Sequence, residues 1–130
     1  MENLSMNELK GRVALVTGGS RGIGKAVSLA LAETGTAVAV NYRERVKDAN
    51  AVVSEIQNHH GRAEAFRCDV SVSSPVRAMV RAVEDRLGPI DILVNNAGIA
   101  ASHGDETAED DFDRTIAINL KSAFLCTEAV

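Results

Sequence analysis

Residues 17–24 of the 130-residue chain read TGGSRGIG, with four glycines in seven positions directly after the apolar run 13–16. A short apolar run bounded by glycines is typical of a parallel strand that is buried on both faces. Glycine permits the positive φ and the close backbone approach that a tight turn into a helix requires. Because the N–H groups of a first helical turn are unpaired and lie at the positive end of the helix dipole, this pattern predicts a phosphate-binding loop.

The spacing of these glycines is Gly18-x-x-x-Gly22-x-Gly24. It differs from the common dinucleotide fingerprint G-x-G-x-x-G. No Lys-Ser/Thr pair follows the glycines, which argues against a P-loop for nucleoside triphosphates. The loop therefore predicts a phosphate-containing ligand without identifying it.

Strands and helices alternate along the chain. Short apolar runs predict strands at 12–17, 37–42, 63–70 and 90–95, and 3.6-residue periodicity predicts helices at 22–33, 46–60, 73–87 and from about 111 to the end. The predicted buried stripes are Val46, Ala49, Val53 and Ile56 in the second helix and Val76, Met79, Val80, Val83 and Leu87 in the third. The alternation indicates an α/β fold, a Rossmann-like doubly wound parallel sheet with helices on both faces.

The bulk composition excludes several classes of protein. Apolar residues make up 45% and charged residues 25% of the chain, and the net charge of −4 gives no reason to expect nucleic acid or an anionic membrane as a partner. No apolar run approaches the ~20 residues of a membrane span, and the N-terminus lacks a signal-peptide pattern. Two cysteines, Cys68 and Cys126, are too few for a metal site or a disulfide framework and are expected to be packing residues. We therefore expect a reduced, cytoplasmic setting.

The end of the second predicted strand bears on the choice of ligand. A sheet that binds NAD usually carries Asp or Glu there to bond the ribose hydroxyls, whereas this chain has Arg43, with Glu44 one step beyond. Because the planar fork of arginine fits phosphate oxygens, Arg21 and Arg43 are predicted to converge on the 2′-phosphate of NADP. The alternative is that both arginines are solvated surface groups.

Two motifs, Thr17-Gly18-x-x-x-Gly22-Ile23-Gly24 and Asn95-Asn96-Ala97-Gly98, together resemble the short-chain dehydrogenase/reductase family. Asp69-Val70 and Asn119 fit the same pattern, and within the family the chain looks most like the 3-oxoacyl-acyl-carrier-protein reductases. The resemblance implies a truncated sheet of four strands in the order 3-2-1-4. Residues 1–10 are expected to be a polar lead. The resemblance implies a dinucleotide-binding Rossmann domain at 11–130 that ends within the helix after the fourth strand.

The resemblance further implies roles for individual residues. Those implied to wrap the pyrophosphate and the adenosine side of the cofactor are Gly18, Ser20, Arg21, Gly22, Ile23 and Gly24. Those implied to lie near the adenosine ribose or adenine are Arg43, Asp69 and Val70. Those implied to line the nicotinamide-side ribose are Asn96, Ala97 and Gly98, with Asn95 bracing the sheet.

Asn119 corresponds to the active-site asparagine that helps the family hold a water in its proton relay. It shares a helix stripe with Phe112, Ile116 and Ala123, so a buried amide with satisfied hydrogen bonds is the alternative. The family's chemistry also needs a serine and a Tyr-x-x-x-Lys pair, in which the lysine lowers the pKa of the tyrosine. The single tyrosine of this chain is Tyr42, and four residues later stands a valine.

The expected activity is therefore that of an NADP(H)-dependent oxidoreductase that transfers hydride between the nicotinamide and a small carbonyl or alcohol substrate. The chain corresponds to the cofactor-binding half, as a fragment or as a natural truncation, and is expected to be inactive alone. A non-catalytic nucleotide-binding or interaction module is the alternative. After Gly98 the chain reads Ile-Ala-Ala-Ser, where many acyl-carrier-protein reductases carry Thr-Arg-Asp, so sugar, steroid and alcohol substrates stay open.

Several further expectations concern element ends and surfaces. The fourth strand is expected to form an unpaired edge and the last helix an uncovered apolar face, through which we expect a homo-oligomer. The residues of that face are Ile116, Leu120, Ala123 and Phe124. Gly35 and Gly61 are expected to end helices in the left-handed conformation, and Thr107 to cap the last helix. His59 and His60 are expected to form a solvated helix end, and His103 to lie in a loop.

Overall fold

The computed structural model describes residues 6–99 and 107–130. After a short 3-10 helix, Met6–Leu9, the described strands are β1 (Val13–Val16), β2 (Ala37–Tyr42), β3 (Ala63–Arg67) and β4 (Ile92–Val94). The described α-helices are α1 (Gly22–Glu33), α2 (Val46–Asn58), α3 (Ser73–Leu87), α4 (Ala108–Ile116) and α5 (Ser122–Ala129). A π-helical turn, Ala117–Lys121, joins α4 to α5.

The four described strands form one parallel sheet in the order β3-β2-β1-β4, which confirms the predicted fold class and strand order. Leu15 of β1 pairs with Ala39 of β2 on one side and with Leu93 of β4 on the other. Among the described residues β4 is therefore an edge strand, as expected. The chain runs from β1 outward to β3 and then crosses back to β4, so the connections diverge on either side of β1.

Side chains of β1 and β2 alternate between two apolar clusters, one on each face of the sheet, and both strands are buried almost throughout. Val13 and Leu15 point to the cluster that α3 covers, while Val16 points to the cluster that α1 and α2 cover. This two-sided burial explains why the strands read as continuous apolar runs. The α3 stripe is as predicted, since all five of its residues are buried.

The predicted stripe of α2 is partly wrong. Ala49 and Ile56 are buried, but the third buried residue is Val52 rather than Val53, which is only half-buried. Val46 is 45% exposed because it opens the helix. Positions 49, 52 and 56 satisfy the helical period as well as the predicted set does, so periodicity alone does not separate the two faces.

Several element boundaries differ from those predicted. β1 and β4 are shorter at both ends, and α2 stops at Asn58. β3 ends at Arg67 rather than at position 70, because the Asp69 carboxylate accepts hydrogen bonds from the Ser71 N–H (3.0 Å) and hydroxyl and turns the chain away from the sheet. α4 begins at Ala108, three residues earlier than predicted, because Thr107 caps it by accepting a hydrogen bond from the Asp110 N–H at 3.1 Å.

One of the two glycine predictions at helix ends is wrong. Gly35 has a φ of +85°, as expected, but after α2 the left-handed residue is His60, with a φ of +66°. Gly61 is required for another reason, since a Cβ there would lie 2.6 Å from Cγ2 of Ile56. His59 is exposed, and its Nδ1 lies 2.9 Å from the carbonyl oxygen of Glu55, consistent with a solvated helix end.

The α4–α5 region carries the large apolar side chains that were expected to be uncovered. Ile116, Leu120 and Phe124 are all exposed, as is Phe112 one turn earlier, and Ala123 is half-buried. Across the two described segments, 6–99 and 107–130, the structure contains no helix with the length and apolar character needed to cross a membrane. His103 and the first part of the acidic run 105–111 lie outside the described residues.

Candidate functional site

The glycine-rich loop lies at the carboxyl end of β1, at the point in the sheet where the strand order reverses. β1 has β2 on one side and β4 on the other; the chain passes from β1 to β2 and β3 on one side and then crosses back to β4 on the other. In open α/β sheets, ligands bind in the crevice that such a switch point creates at the carboxyl ends of the strands. The fold therefore places residues 17–24 where a ligand has room to bind.

The loop is held by hydrogen bonds to β2 and to α1. The Gly18 N–H donates to Oδ1 of Asn41 at 3.1 Å, and the Gly19 N–H donates to the Asn41 carbonyl oxygen at 2.9 Å. The hydroxyl of Ser28, which is fully buried in α1, lies 2.9 Å from the Gly24 carbonyl oxygen and 3.2 Å from that of Gly19. These bonds fix the path of the loop before any ligand binds.

Two of the loop glycines are required for different reasons. At Gly24 an added Cβ would lie 2.1 Å from the Gly18 carbonyl oxygen and 2.5 Å from Nδ2 of Asn96, so a side chain cannot be accommodated. Gly22 has a φ of +53°, and a Cβ there would meet nothing within 4 Å. Glycine is required at position 22 because other residues rarely adopt this positive φ. The backbone there faces open space at the start of α1, as an anion-binding loop requires.

The first turn of α1 is suited to an anion. Arg21 is the N-cap residue and makes no side-chain capping bond, and the described first turn carries no acidic residue. Ile23 is 77% exposed although it is a large apolar residue. Free N–H groups, the positive end of the helix dipole and an exposed apolar side chain together fit a ligand that has both phosphate and apolar surface.

The loop is also joined to the segment after β4. Thr17 is buried, and its hydroxyl oxygen accepts hydrogen bonds from the N–H groups of Asn96 and Ala97, both at 3.0 Å. The side-chain amide of Asn96 donates to the carbonyl oxygens of Thr17 (3.1 Å) and Gly18 (3.0 Å). Asn95, predicted to brace the sheet, donates to the hydroxyl of Thr127 on α5, whereas Asn96 bridges the ends of β1 and β4.

Arg43 lies just beyond β2, beside the loop that follows β3. Its Nε lies 3.9 Å from Oδ2 of Asp69, and its carbonyl oxygen accepts a hydrogen bond from Nε of Arg67 at 3.2 Å. The pKa of Asp69 is below its usual value, chiefly because the Ser71 hydroxyl donates to the carboxylate. Burial opposes this effect, and the Ser71 N–H and Arg43 lower the pKa by smaller amounts. Asp69 is therefore ionised at neutral pH, and its stabilising effect is lost as the pH falls through this lowered pKa.

Asn119 lies in the π-helical turn and is hydrogen-bonded to the segment after β4. Its Oδ1 accepts from the Ile99 N–H at 2.7 Å, and its Nδ2 donates to the Ile99 carbonyl oxygen at 2.8 Å. Asn119 is exposed, so the alternative of a buried amide is wrong, although its hydrogen bonds are satisfied. π-Helical turns inside α-helices are frequent at functional sites.

The two cysteines belong to the core beside this region. Both are free and buried in the cluster beneath α3, Cys126 on α5 and Cys68 directly after β3 rather than within it. Burial raises the pKa of Cys68 to about 11, with smaller effects from Cys126 and Asp69, and burial also raises the pKa of Cys126. Both thiols are thus protonated at neutral pH, in agreement with a packing role.

The residues singled out from the sequence thus occupy the carboxyl edge of the sheet, apart from Asn119, which lies beside it against Ile99. Ser20 is buried, whereas Arg21 and Arg43 are exposed. The side chain of Val70 packs into the core, which leaves only its backbone for a ligand. Sequence reasoning missed Asn41, whose signal was a lone amide within the buried run AVAVNY of β2.

Comparison with known proteins agrees with this geometry. Residues 12–130 match the family model described as short chain dehydrogenase. The chain belongs to the short-chain dehydrogenase/reductase family. A 3-oxoacyl-[acyl-carrier-protein] reductase of Synechocystis sp. is 44% identical over 126 residues, which is 96% of this chain and 51% of the relative.

Solved structures of short-chain dehydrogenase/reductases resemble the chain in both fold and sequence. A dehydrogenase/reductase of Sinorhizobium meliloti 1021 has a TM-score of 0.88 and 42% identity, covering 95% of this chain and 50% of that one. A short-chain dehydrogenase of Burkholderia cenocepacia J2315, solved in complex with NADP, has a TM-score of 0.86 and 42% identity, covering 95% of this chain and 51% of that one. The chain spans about half the length of the curated relatives it matches.

Proposed function

We propose that residues 11–130 form the dinucleotide-binding part of a short-chain oxidoreductase and that this part binds NADP(H). The observation that carries the proposal is the open N-terminus of α1, where Gly22 faces free space and the first helical turn, as described, carries no acidic side chain. The residues proposed to contact the pyrophosphate and adenosine are Gly18, Ser20, Arg21, Gly22, Ile23 and Gly24. The segment 96–98 (Asn96, Ala97, Gly98) is proposed to line the nicotinamide-side ribose, and Asp69 with the backbone of Val70 to border adenine.

The preference for NADP over NAD rests on Arg43. Its guanidinium is exposed at the end of β2, where NAD-binding sheets usually carry an acidic residue. The nearby Asp69 carboxylate, 3.9 Å away, leaves the guanidinium exposed. An exposed guanidinium suits a 2′-phosphate, and Arg21 at the N-cap of α1 is proposed as its second partner. The complex with NADP reported for the Burkholderia relative supports this choice.

The experiment that tests this proposal is the substitution Arg43→Ala. We expect the Kd for NADPH, measured by fluorescence titration, to rise by about 10- to 100-fold, because one charge-assisted phosphate contact is lost. The Kd for NADH is expected to change less than about threefold, since NADH lacks the 2′-phosphate that Arg43 contacts.

Arg45→Ala is the matched control. Arg45 also has an exposed guanidinium 3.9 Å from a carboxylate, that of Asp48, but it is the N-cap residue of α2 and is not among the residues proposed to contact the cofactor. It should leave both dissociation constants unchanged. Equal losses for NADPH and NADH in the Arg43 variant, or a native preference for NADH, would contradict the assignment of the 2′-phosphate.

For the whole protein we propose hydride transfer between the bound nicotinamide, which supplies or accepts the hydride, and a small carbonyl or alcohol substrate. Asn119 is proposed as the catalytic residue of this chain, positioned through Ile99 beside the segment 96–98. Because Val46 stands where a Tyr-x-x-x-Lys pair starting at Tyr42 would need lysine, we propose that these 130 residues bind the cofactor without turnover. The same observation keeps a non-catalytic nucleotide-binding module as the second candidate.

We also propose a homo-oligomer formed through the α4–α5 face or the β4 edge. The support is the row of exposed apolar residues Phe112, Ile116, Leu120 and Phe124, since apolar patches of this kind mark association surfaces. The two free thiols support the reduced, cytoplasmic setting proposed from the sequence.

A further inference from the structure

We infer that Asn41 is a positioning residue that sets the glycine loop and the loop after β3 relative to one another, and so controls affinity for the adenosine half of the cofactor. The inference rests on the proposed function for its ligand, but its structural basis is independent of it. Asn41 is 2% exposed and lies on the face of β2 that is otherwise apolar.

The side chain of Asn41 connects two segments that are far apart in sequence. Its Oδ1 accepts from the Gly18 N–H at 3.1 Å, and its Nδ2 lies 3.3 Å from the carbonyl oxygens of both Phe66 and Cys68. The orientation of the amide is fixed, because a flipped amide would place its oxygen against two carbonyls and its NH2 against an N–H donor.

Both connected segments carry proposed cofactor contacts. Gly18 begins the loop that surrounds the pyrophosphate, and Cys68 precedes Asp69, which pairs with Arg43. An apolar residue at position 41 would leave the Gly18 N–H and the Cys68 carbonyl without this partner. The two loops would then no longer be joined through the side chain of residue 41. A buried amide amid apolar neighbours costs free energy unless its bonds are made, so a purely space-filling role would favour valine or leucine.

The test compares Asn41→Leu with the control Thr36→Val. Thr36 is equally buried. It lies at the amino end of β2, away from the proposed site, and its hydroxyl donates to the Leu9 carbonyl oxygen at 3.1 Å. Amide hydrogen exchange and the Kd for adenosine 2′,5′-bisphosphate are measured for both variants and the native chain. In Asn41→Leu we expect exchange at Gly18 and the Kd each to rise at least about tenfold, because a buried donor loses its partner.

Two comparisons separate positioning from general destabilisation. Exchange at Gly19 should rise much less than at Gly18, since its acceptor is the Asn41 backbone, and Thr36→Val should leave the Kd unchanged. An Asn41→Leu variant whose Kd matches that of Thr36→Val would overturn the inference. If Asn41→Leu does not fold, Asn41→Asp keeps the acceptor for Gly18 but loses both donors. It should then show native Gly18 exchange with a weakened Kd, and a native Kd would overturn the inference.

The outcome also separates this inference from the proposed function. A native chain that binds neither NADPH nor adenosine 2′,5′-bisphosphate contradicts the proposed function. The exchange pattern at Gly18 against Gly19 then decides on its own whether Asn41 fixes the loop.

Discussion

Gly24→Ala is expected to have the largest effect of any single methyl group added to the glycine loop. The new Cβ would lie 2.1 Å from the Gly18 carbonyl oxygen, which is backbone held by its neighbours and cannot rotate away as a side chain can. We expect the free energy of unfolding to fall by about 3 kcal/mol, the upper range for overpacking. Affinity for NADPH should fall more than about 100-fold, because the loop must move from the position it holds at the start of α1.

Gly11→Ala is the control for Gly24→Ala. Gly11 has a positive φ (+81°), which Gly24 does not, but a Cβ at Gly11 would meet nothing within 4 Å. It should cost only about 1 kcal/mol of stability through backbone strain and leave NADPH binding unchanged. Chemical denaturation gives the stabilities, and fluorescence titration the affinities. A Gly24→Ala chain with native stability and native affinity would show that the close approach in the loop is not required.

Thr17→Val is expected to have the second largest effect. Valine has almost the same shape as threonine, so the core contacts persist, but the acceptor for the Asn96 and Ala97 N–H groups is lost. Asn96 N–H keeps a second acceptor, the Val94 carbonyl oxygen at 3.1 Å, so the larger penalty falls on Ala97. We expect a loss of about 1 to 2 kcal/mol in unfolding free energy, the lower range for a donor that loses its partner, because Ala97 is half-buried.

The same substitution should weaken NADPH binding, because the segment 96–98 is no longer tied to the end of β1. Thr115→Val is the control. The Thr115 hydroxyl donates to the Asp111 carbonyl oxygen one turn earlier in α4. Its loss should change the free energy of unfolding by less than about 0.5 kcal/mol. Equal destabilisation by the two variants, measured by urea denaturation, would contradict a bridging role for Thr17.

The parallel sheet was predictable because each strand is a short apolar run and each helix follows a glycine or polar turn, whereas its strand order was implied by the family resemblance. The ends of elements were less predictable, since they depend on side-chain bonds that span only a few residues. The early end of β3 is set by the bonds between Asp69 and Ser71, which were not predicted from the sequence, whereas Thr107 caps α4 as expected although periodicity began the helix at about 111. Hydrophobic periodicity carries no information about such bonds. The strand predicted from it therefore extended beyond the true end of β3, and the predicted helix began after the true start of α4.

The proposed site was predictable as a set of positions but not as a network of bonds. The motif at 17–24 and the motif at 95–98 predicted two loops of one site, and the structure places these two loops side by side. The sequence could not show that Asn96 rather than Asn95 joins them, because adjacent asparagines differ only in the direction that the backbone gives each side chain. Asn41 was missed because a single amide in a strand carries no motif, although burial obliges it to find partners.

The central claim is that this chain binds NADP(H) along the carboxyl edge of its sheet. Titration of the isotopically labelled chain with NADP⁺, followed through backbone amide NMR signals, tests it most directly. We predict saturable shifts concentrated at residues 17–24, 69–70 and 96–98, with the signals of the exposed α4–α5 face unchanged. The absence of saturable shifts, or shifts confined to α4 and α5, would contradict the claim.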